Sequence, residues 1–109
     1  MTYTGKVVII VNEYTQSALE FLTMILQTIP GSITIGSQTA GADGNISRFL
    51  LPGDIETLIS GLGVQYPDGT ETQRYGVKID EVVKPTIAGI KAGRDELYER
   101  AVEIIKNKK

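Results

Sequence analysis

Apolar residues follow two different periods along this chain. Residues 6–11 read KVVIIV, an almost unbroken β-branched run. Such a run fits a central strand covered on both faces, usually in a parallel sheet. From Ser17 the period lengthens. Ala18, Phe21, Leu22, Ile25, Leu26 and Ile29 recur at threes and fours, which predicts a helix over about 17–29 with a wide apolar face. Pro30 and Gly31 stop it, and residues 32–35, SITI, form a second strand. Strand, helix and strand in that order predict a right-handed parallel crossover.

The middle of the chain is shorter-grained. Residues 39–46, TAGADGNI, are small and glycine-rich and predict a loop with unusual backbone angles. Residues 48–51 and 55–59 read as short strands joined through 52–54. Pro67-Asp68-Gly69 is a turn signal, residues 73–77 read as another strand, and 81–83 as a short extended piece. A helix over about 94–106 carries Leu97, Ala101, Ile104 and Ile105 on one stripe. Asp95 and Glu96 at its start and lysines at its end suit the helix dipole, and Glu96 and Arg100 stand at pairing distance.

Composition narrows the function. The 109 residues suit one small α/β domain or part of a larger one. Their net charge of −2 gives no reason to expect nucleic acid or an anionic membrane as partner. No run reaches the length of a membrane span. The start lacks the order of a signal peptide. The absence of cysteine and histidine removes disulfides and the common zinc sites, so no metal or cofactor is expected.

Ser17 carries the chemical interest. It lies between a buried strand and a helix N-terminus, where free N–H groups and a positive field favour an oxyanion. Two readings stand on the residues alone. Ser17-Ala-Leu-Glu20 fits a capping box, worth about 1 kcal/mol with no chemistry involved. Alternatively Ser17 is an acyl-transfer nucleophile, with the Ala18 N–H and a loop donor holding the oxyanion. The surroundings are not G-x-S-x-G, and no lysine stands in an apolar run that would make it a base. The 39–46 loop reads as a plain turn or as a substrate loop. Asp43 and Asn45 alone do not make a calcium loop. Asp68 reads as a turn residue, and Tyr66 and Tyr75 as strand aromatics.

Five stretches together resemble a known family. NEYTQSALE (12–20) is similar to the nucleophile segment of the C-terminal processing, or tail-specific, serine peptidases. IGSQTAGADG (35–44) resembles their glycine-rich loop, YPDG (66–69) their turn, YGVKID (75–80) their G-[IV]-x-P-D block with Ile79 in place of proline, and GRDELYERAVEII (93–105) their final helix. The resemblance implies a crotonase/ClpP-like α/β sheet with crossover helices, of which residues 1–109 are a C-terminal portion of the catalytic domain. It implies Ser17 as catalytic serine, Ala18 as oxyanion donor, and Thr39, Gly41, Ala42, Asp43 and Gly44 as substrate loop. Ala42 stands where one branch of the family has a lysine base, so the resemblance points to the tricorn-like branch, whose base is a histidine from earlier chain. Gln73 stands where that branch has a supporting glutamate. The implied partner is a peptide or protein substrate, with a homo-oligomer as a further expectation, and the implied location is bacterial periplasm, cell envelope or outside the cell. This chain by itself is expected to lack turnover. The competing reading is a non-catalytic peptide-binding or structural module of the same fold.

Overall fold

Three short strands form the sheet that organises the chain. The computed structural model describes residues 3–107. β1 (Val8–Val11) leads through helix α1 (Ala18–Gln27) to β2 (Ile33–Gly36), and the two strands pair in parallel, Val8 opposite Ile33 and Val11 opposite Gly36. A hairpin follows, β3 (Asn45–Leu51) antiparallel to β4 (Ile55–Leu62). β5 (Glu81–Val82) then returns beside β2 in parallel, giving the order β1-β2-β5. Helices α2 (Ile87–Lys91) and α3 (Glu96–Lys106) close the chain.

The pleat sorts side chains to two faces. Ile9 and Val11 of β1 meet Met24 of α1 and Val77 on one side. Val8, Ile33 and Ile35 meet Ala101 and Ile104 of α3 on the other. Ile35 is wholly buried, which stabilises the fold by about 1.5–3 kcal/mol. Thr34 faces α1 instead, and its hydroxyl accepts from Gln27 Nε2 at 2.8 Å. Its N–H donates to Asp80 Oδ2 at 2.7 Å, so Asp80 fixes the chain as it enters β5. α3 starts on an Asp95 cap, whose carboxylate accepts from the Tyr98 N–H at 3.0 Å.

Several expectations are corrected. β1 is an edge strand among the described residues, not a central one, and Ile10 is exposed. α1 buries Glu20, Thr23 and Met24, while the apolar stripe of Phe21, Leu22 and Ile25 faces out. Residues 73–77 form a turn rather than a strand. Arg74 and Gly76 both take positive φ, and the N–H groups of Tyr75 and Gly76 fold back to the Thr72 carbonyl. Glu96 does not pair with Arg100. It accepts from the backbone N–H and the hydroxyl of Thr86, and Arg100 instead forks onto Glu81 at 2.7 and 3.0 Å. The short α2 had no sequence signal beyond Thr86, whose hydroxyl caps it by accepting from the Gly89 N–H.

One glycine sets how closely the two parallel strands end. Gly36 sits at φ +131°, and a Cβ there would lie 1.8 Å from the Val11 carbonyl oxygen. Gly36→Ala should therefore destabilise the chain by about 3 kcal/mol or more, read as a lower urea midpoint with the same slope.

Candidate active site

The carboxyl ends of β1 and β2 release two loops on the same edge of the sheet, residues 12–17 and 37–44. Such an edge is where open α/β sheets take ligands. The first loop turns tightly. Asn12 Oδ1 accepts from the Tyr14 N–H at 3.0 Å, and the Asn12 N–H donates to Thr15 Oγ1 at 3.1 Å. It ends on Ser17, the residue before the first turn of α1.

Ser17 has φ +52° and ψ −118°, far from the extended backbone of an ordinary N-cap. For a residue with a Cβ this conformation costs about 1–3 kcal/mol. Its hydroxyl makes no cap hydrogen bond, and the side chain is exposed. The capping-box arrangement of Ser17 and Glu20 is nevertheless present, and its well-formed bond is the reverse arm, from the Ser17 N–H to Glu20 Oε2 at 3.0 Å. The Ala18 N–H, at the first helical position, has no acceptor among the described residues.

Glu20 is the centre of this region. Its side chain is fully buried. Besides the Ser17 N–H, it accepts from the Thr39 hydroxyl at 2.5 Å, the Gly41 N–H at 2.8 Å and the Ala42 N–H at 2.9 Å. The Ala40 N–H adds a bond to the Thr15 carbonyl at 3.0 Å. The glycine-rich loop is thus fastened along the serine turn. Thr39 Oγ1 also accepts from the Val77 N–H at 3.0 Å, and the Arg74 N–H donates to the Gly41 carbonyl at 2.6 Å. The 73–76 turn lies directly on the loop, so close that a Cβ at Gly41 would meet the Arg74 carbonyl carbon at 2.7 Å.

The sequence candidates thus come together unevenly. Ser17, Ala18 and residues 39–42 form one unit. Gln73 stands beside it, its Oε1 3.0 Å from where a Gly44 Cβ would be. The N–H groups of Gly41 and Ala42 already have an acceptor in Glu20, and Thr39 is buried beneath them. Asp43 is also buried, and its Oδ2 has no hydrogen-bond partner. Burial pushes the Asp43 carboxyl up from its ordinary value, the charge on Glu20 adds to the push, and a bond from the Gly44 backbone offsets part of it. Asp68 is a turn residue as expected, its Oδ1 accepting from the Thr70 N–H at 2.9 Å. Its carboxyl is held low first by the hydrogen bond from Lys78. Tyr66 is not a simple strand aromatic. Its hydroxyl bridges Gln27 Oε1 at 2.6 Å and the Lys78 N–H at 3.0 Å. A surface cavity of about 500 Å³ lies elsewhere, between the end of α1 and Tyr66, and Ser17 does not line it.

Sequence reasoning missed the scale of Glu20's role. It saw one capping partner where the fold has a four-donor anchor. The signal was the spacing of Glu20 from Ser17, but nothing in the sequence tied it to Thr39 and Gly41. The chemical content of the site is an exposed hydroxyl on a strained strand-to-helix turn, with one free backbone donor next to it. No histidine or cysteine is present to accept the serine proton.

Comparison with known proteins gives the class. A model described as Peptidase family S41 matches residues 1–83. A candidate peptidase from Parabacteroides merdae superposes with a TM-score of 0.87 at 23% identity, over 98% of this chain and 34% of its own. The tricorn protease superposes at 0.77 with 22% identity, over 92% of this chain and 10% of its own. The photosystem II D1 C-terminal processing protease gives 0.60 at 26%, over 76% and 21%. No curated protein sequence matches. The chain belongs to peptidase family S41, the tail-specific serine peptidases. It spans about a third or less of the length of these solved relatives.

Two measurements test the geometry. Ser17→Gly should be more stable than Ser17→Ala by about 1 kcal/mol in urea unfolding, because glycine relieves strain of about 1–3 kcal/mol and adds back about 1 kcal/mol of chain entropy. The comparison with the native chain decides: Ser17→Gly should be at least as stable as native, whereas at an ordinary cap, where glycine also exceeds alanine, the same change costs about a few tenths of a kcal/mol. The second concerns Asp43. Its folded carboxyl keeps a proton after the unfolded chain has lost it, over a window from about pH 3.8 upward. In that window the folded state binds more protons, so stability falls as pH rises. Asp43→Asn should flatten that fall in unfolding curves taken across a pH series.

Proposed function

We propose that this chain is the serine-bearing, C-terminal portion of a tail-specific endopeptidase catalytic domain, spanning 1–109, with the crotonase/ClpP type of α/β core. The observation that carries the reading is the backbone of Ser17, held at φ +52° and ψ −118° with a free hydroxyl at the head of α1. The hydroxyl accepts no cap hydrogen bond although Ser17 stands in a capping-box arrangement, and strain of this kind clusters at functional sites.

In the proposed reaction the Ser17 oxygen attacks a peptide carbonyl. A base outside this chain takes the hydroxyl proton and returns it to the departing amine. The Ala18 N–H stabilises the oxyanion, and one such donor contributes about 3 kcal/mol to the transition state. Water then releases the acyl group from Ser17. Residues 39–44 border the substrate, fixed from beneath by Glu20, and Gln73 supports the base by hydrogen bonding without charge. The substrate is a peptide or protein. The tricorn-like branch is supported by Ala42, which offers no lysine. The proposed location, suggested by the family resemblance, is the bacterial periplasm, the cell envelope or outside the cell.

A second reading is a peptide-binding or structural module without catalysis. Ala42, Gln73 and the absence of histidine favour it. A fluorophosphonate probe separates the two. On the first reading it labels Ser17 in the whole protein, Ser17→Ala abolishes both label and peptide cleavage, and residues 1–109 alone show no turnover. Peptide cleavage that survives Ser17→Ala refutes the assignment.

A further inference from the structure

We propose that Glu20 is a positioning residue for Ser17: its four-donor carboxylate sets the nucleophile's backbone and locks the glycine-rich loop against it. The inference rests on the reading of Ser17 as nucleophile. Oε2 accepts from the Ser17 N–H at 3.0 Å and the Ala42 N–H at 2.9 Å, and Oε1 from the Thr39 hydroxyl at 2.5 Å and the Gly41 N–H at 2.8 Å. The side chain is wholly buried, so water does not substitute for any of these bonds. It touches no substrate position and does not serve as base, because both oxygens are already engaged.

The Ser17 N–H donates inward to Oε2 while the residue itself is exposed. The Ala18 N–H, like any first-turn donor, has no intrahelical acceptor. Through Oε1 the carboxylate also fixes Thr39, whose hydroxyl accepts from the Val77 N–H. The serine turn, the 39–42 loop and the 73–77 segment therefore move as one body.

Only an acceptor-only group fits. A carboxylate offers acceptors at both ends, whereas an amide offers an acceptor at one and N–H donors at the other. In Glu20→Gln the amide nitrogen faces either the Gly41 N–H or the Ser17 and Ala42 N–H pair. Each orientation leaves at least one buried donor unmatched.

The test uses the whole protein, with fluorophosphonate labelling of Ser17 followed as rate and as final stoichiometry, and amide exchange at Ser17, Gly41 and Ala42. Glu20→Gln should slow labelling about 10- to 100-fold at full stoichiometry, since an ångström of misplacement has that scale of effect. Exchange at one or more of the three amides should rise about tenfold while that of β2 stays as in the native protein. Thr39→Val removes one of the four donors and should give a smaller change in the same direction. It decides the matter if Glu20→Gln does not fold. A merely structural role would lower stoichiometry and leave the rate constant alone, and that result overturns the proposal, as does a labelling rate within about twofold of native. If the native protein is not labelled at Ser17, the peptidase reading fails, and amide exchange alone judges the clamp: unchanged exchange in Glu20→Gln overturns it.

Discussion

A single buried carboxylate holds the functional edge of this chain together. Glu20 accepts from four donors in two segments that are distant in sequence. A charged group without such bonds would be expelled from the interior or neutralised. With them, its charge-assisted bonds are stronger than ordinary amide pairs. This is how a turn with φ +52° at serine persists. The strain is local and of order 1–3 kcal/mol, and the bonds that oppose it reach across to the neighbouring loop. The same charge bears on Asp43, whose buried carboxyl is held toward its neutral form first by desolvation and then by Glu20.

The sheet's part is to bring the two segments to one edge. A parallel pair joined through α1 delivers both strand ends in the same direction. Gly36 lets the second strand leave within touching distance of the Val11 carbonyl, and the Ser37 N–H donates to that same oxygen at 3.2 Å. Glycine is demanded again at Gly76, which lies against Thr39 with no room for a Cβ. The small residues of the 39–44 loop therefore serve close approach of backbone to backbone.

The crossover unit and the last helix were legible because their signals are local. A β-branched run, a three-four apolar period, Pro-Gly and Asp95 as cap each act within one element. What the sequence did not disclose depends on partners far along the chain. The outward apolar face of α1 could not be foreseen, since periodicity shows that a helix has two faces and not which one meets the sheet. The sheet takes the face with Glu20, Thr23 and Met24 because Glu20 must reach Thr39 and Gly41. Residues 73–77 misled for a similar reason. Their aromatic and β-branched content suits a strand, but Arg74 and Gly76 at positive φ turn the segment onto the loop. At Ser17 the spacing to Glu20 was read correctly as a capping pair. The positive φ of Ser17 was not in the spacing.

Two deficits of this chain have one account under the proposed function. The serine has no base, and the apolar face of α1, with Leu19, Phe21, Leu22 and Ile25 each about half exposed, has no cover. The β3–β4 hairpin repeats the pattern. Phe49, Leu51, Ile55 and Ile59 lie on one of its faces, all substantially exposed, although a hairpin alone is marginally stable. Open apolar surface on this scale is uncommon in a self-sufficient monomer. A catalytic domain of which these residues form one part would supply the cover and the proton acceptor from the same additional chain. A binding module would need only the cover, so the strained and exposed serine, which burial of α1 would not require, is what favours the peptidase.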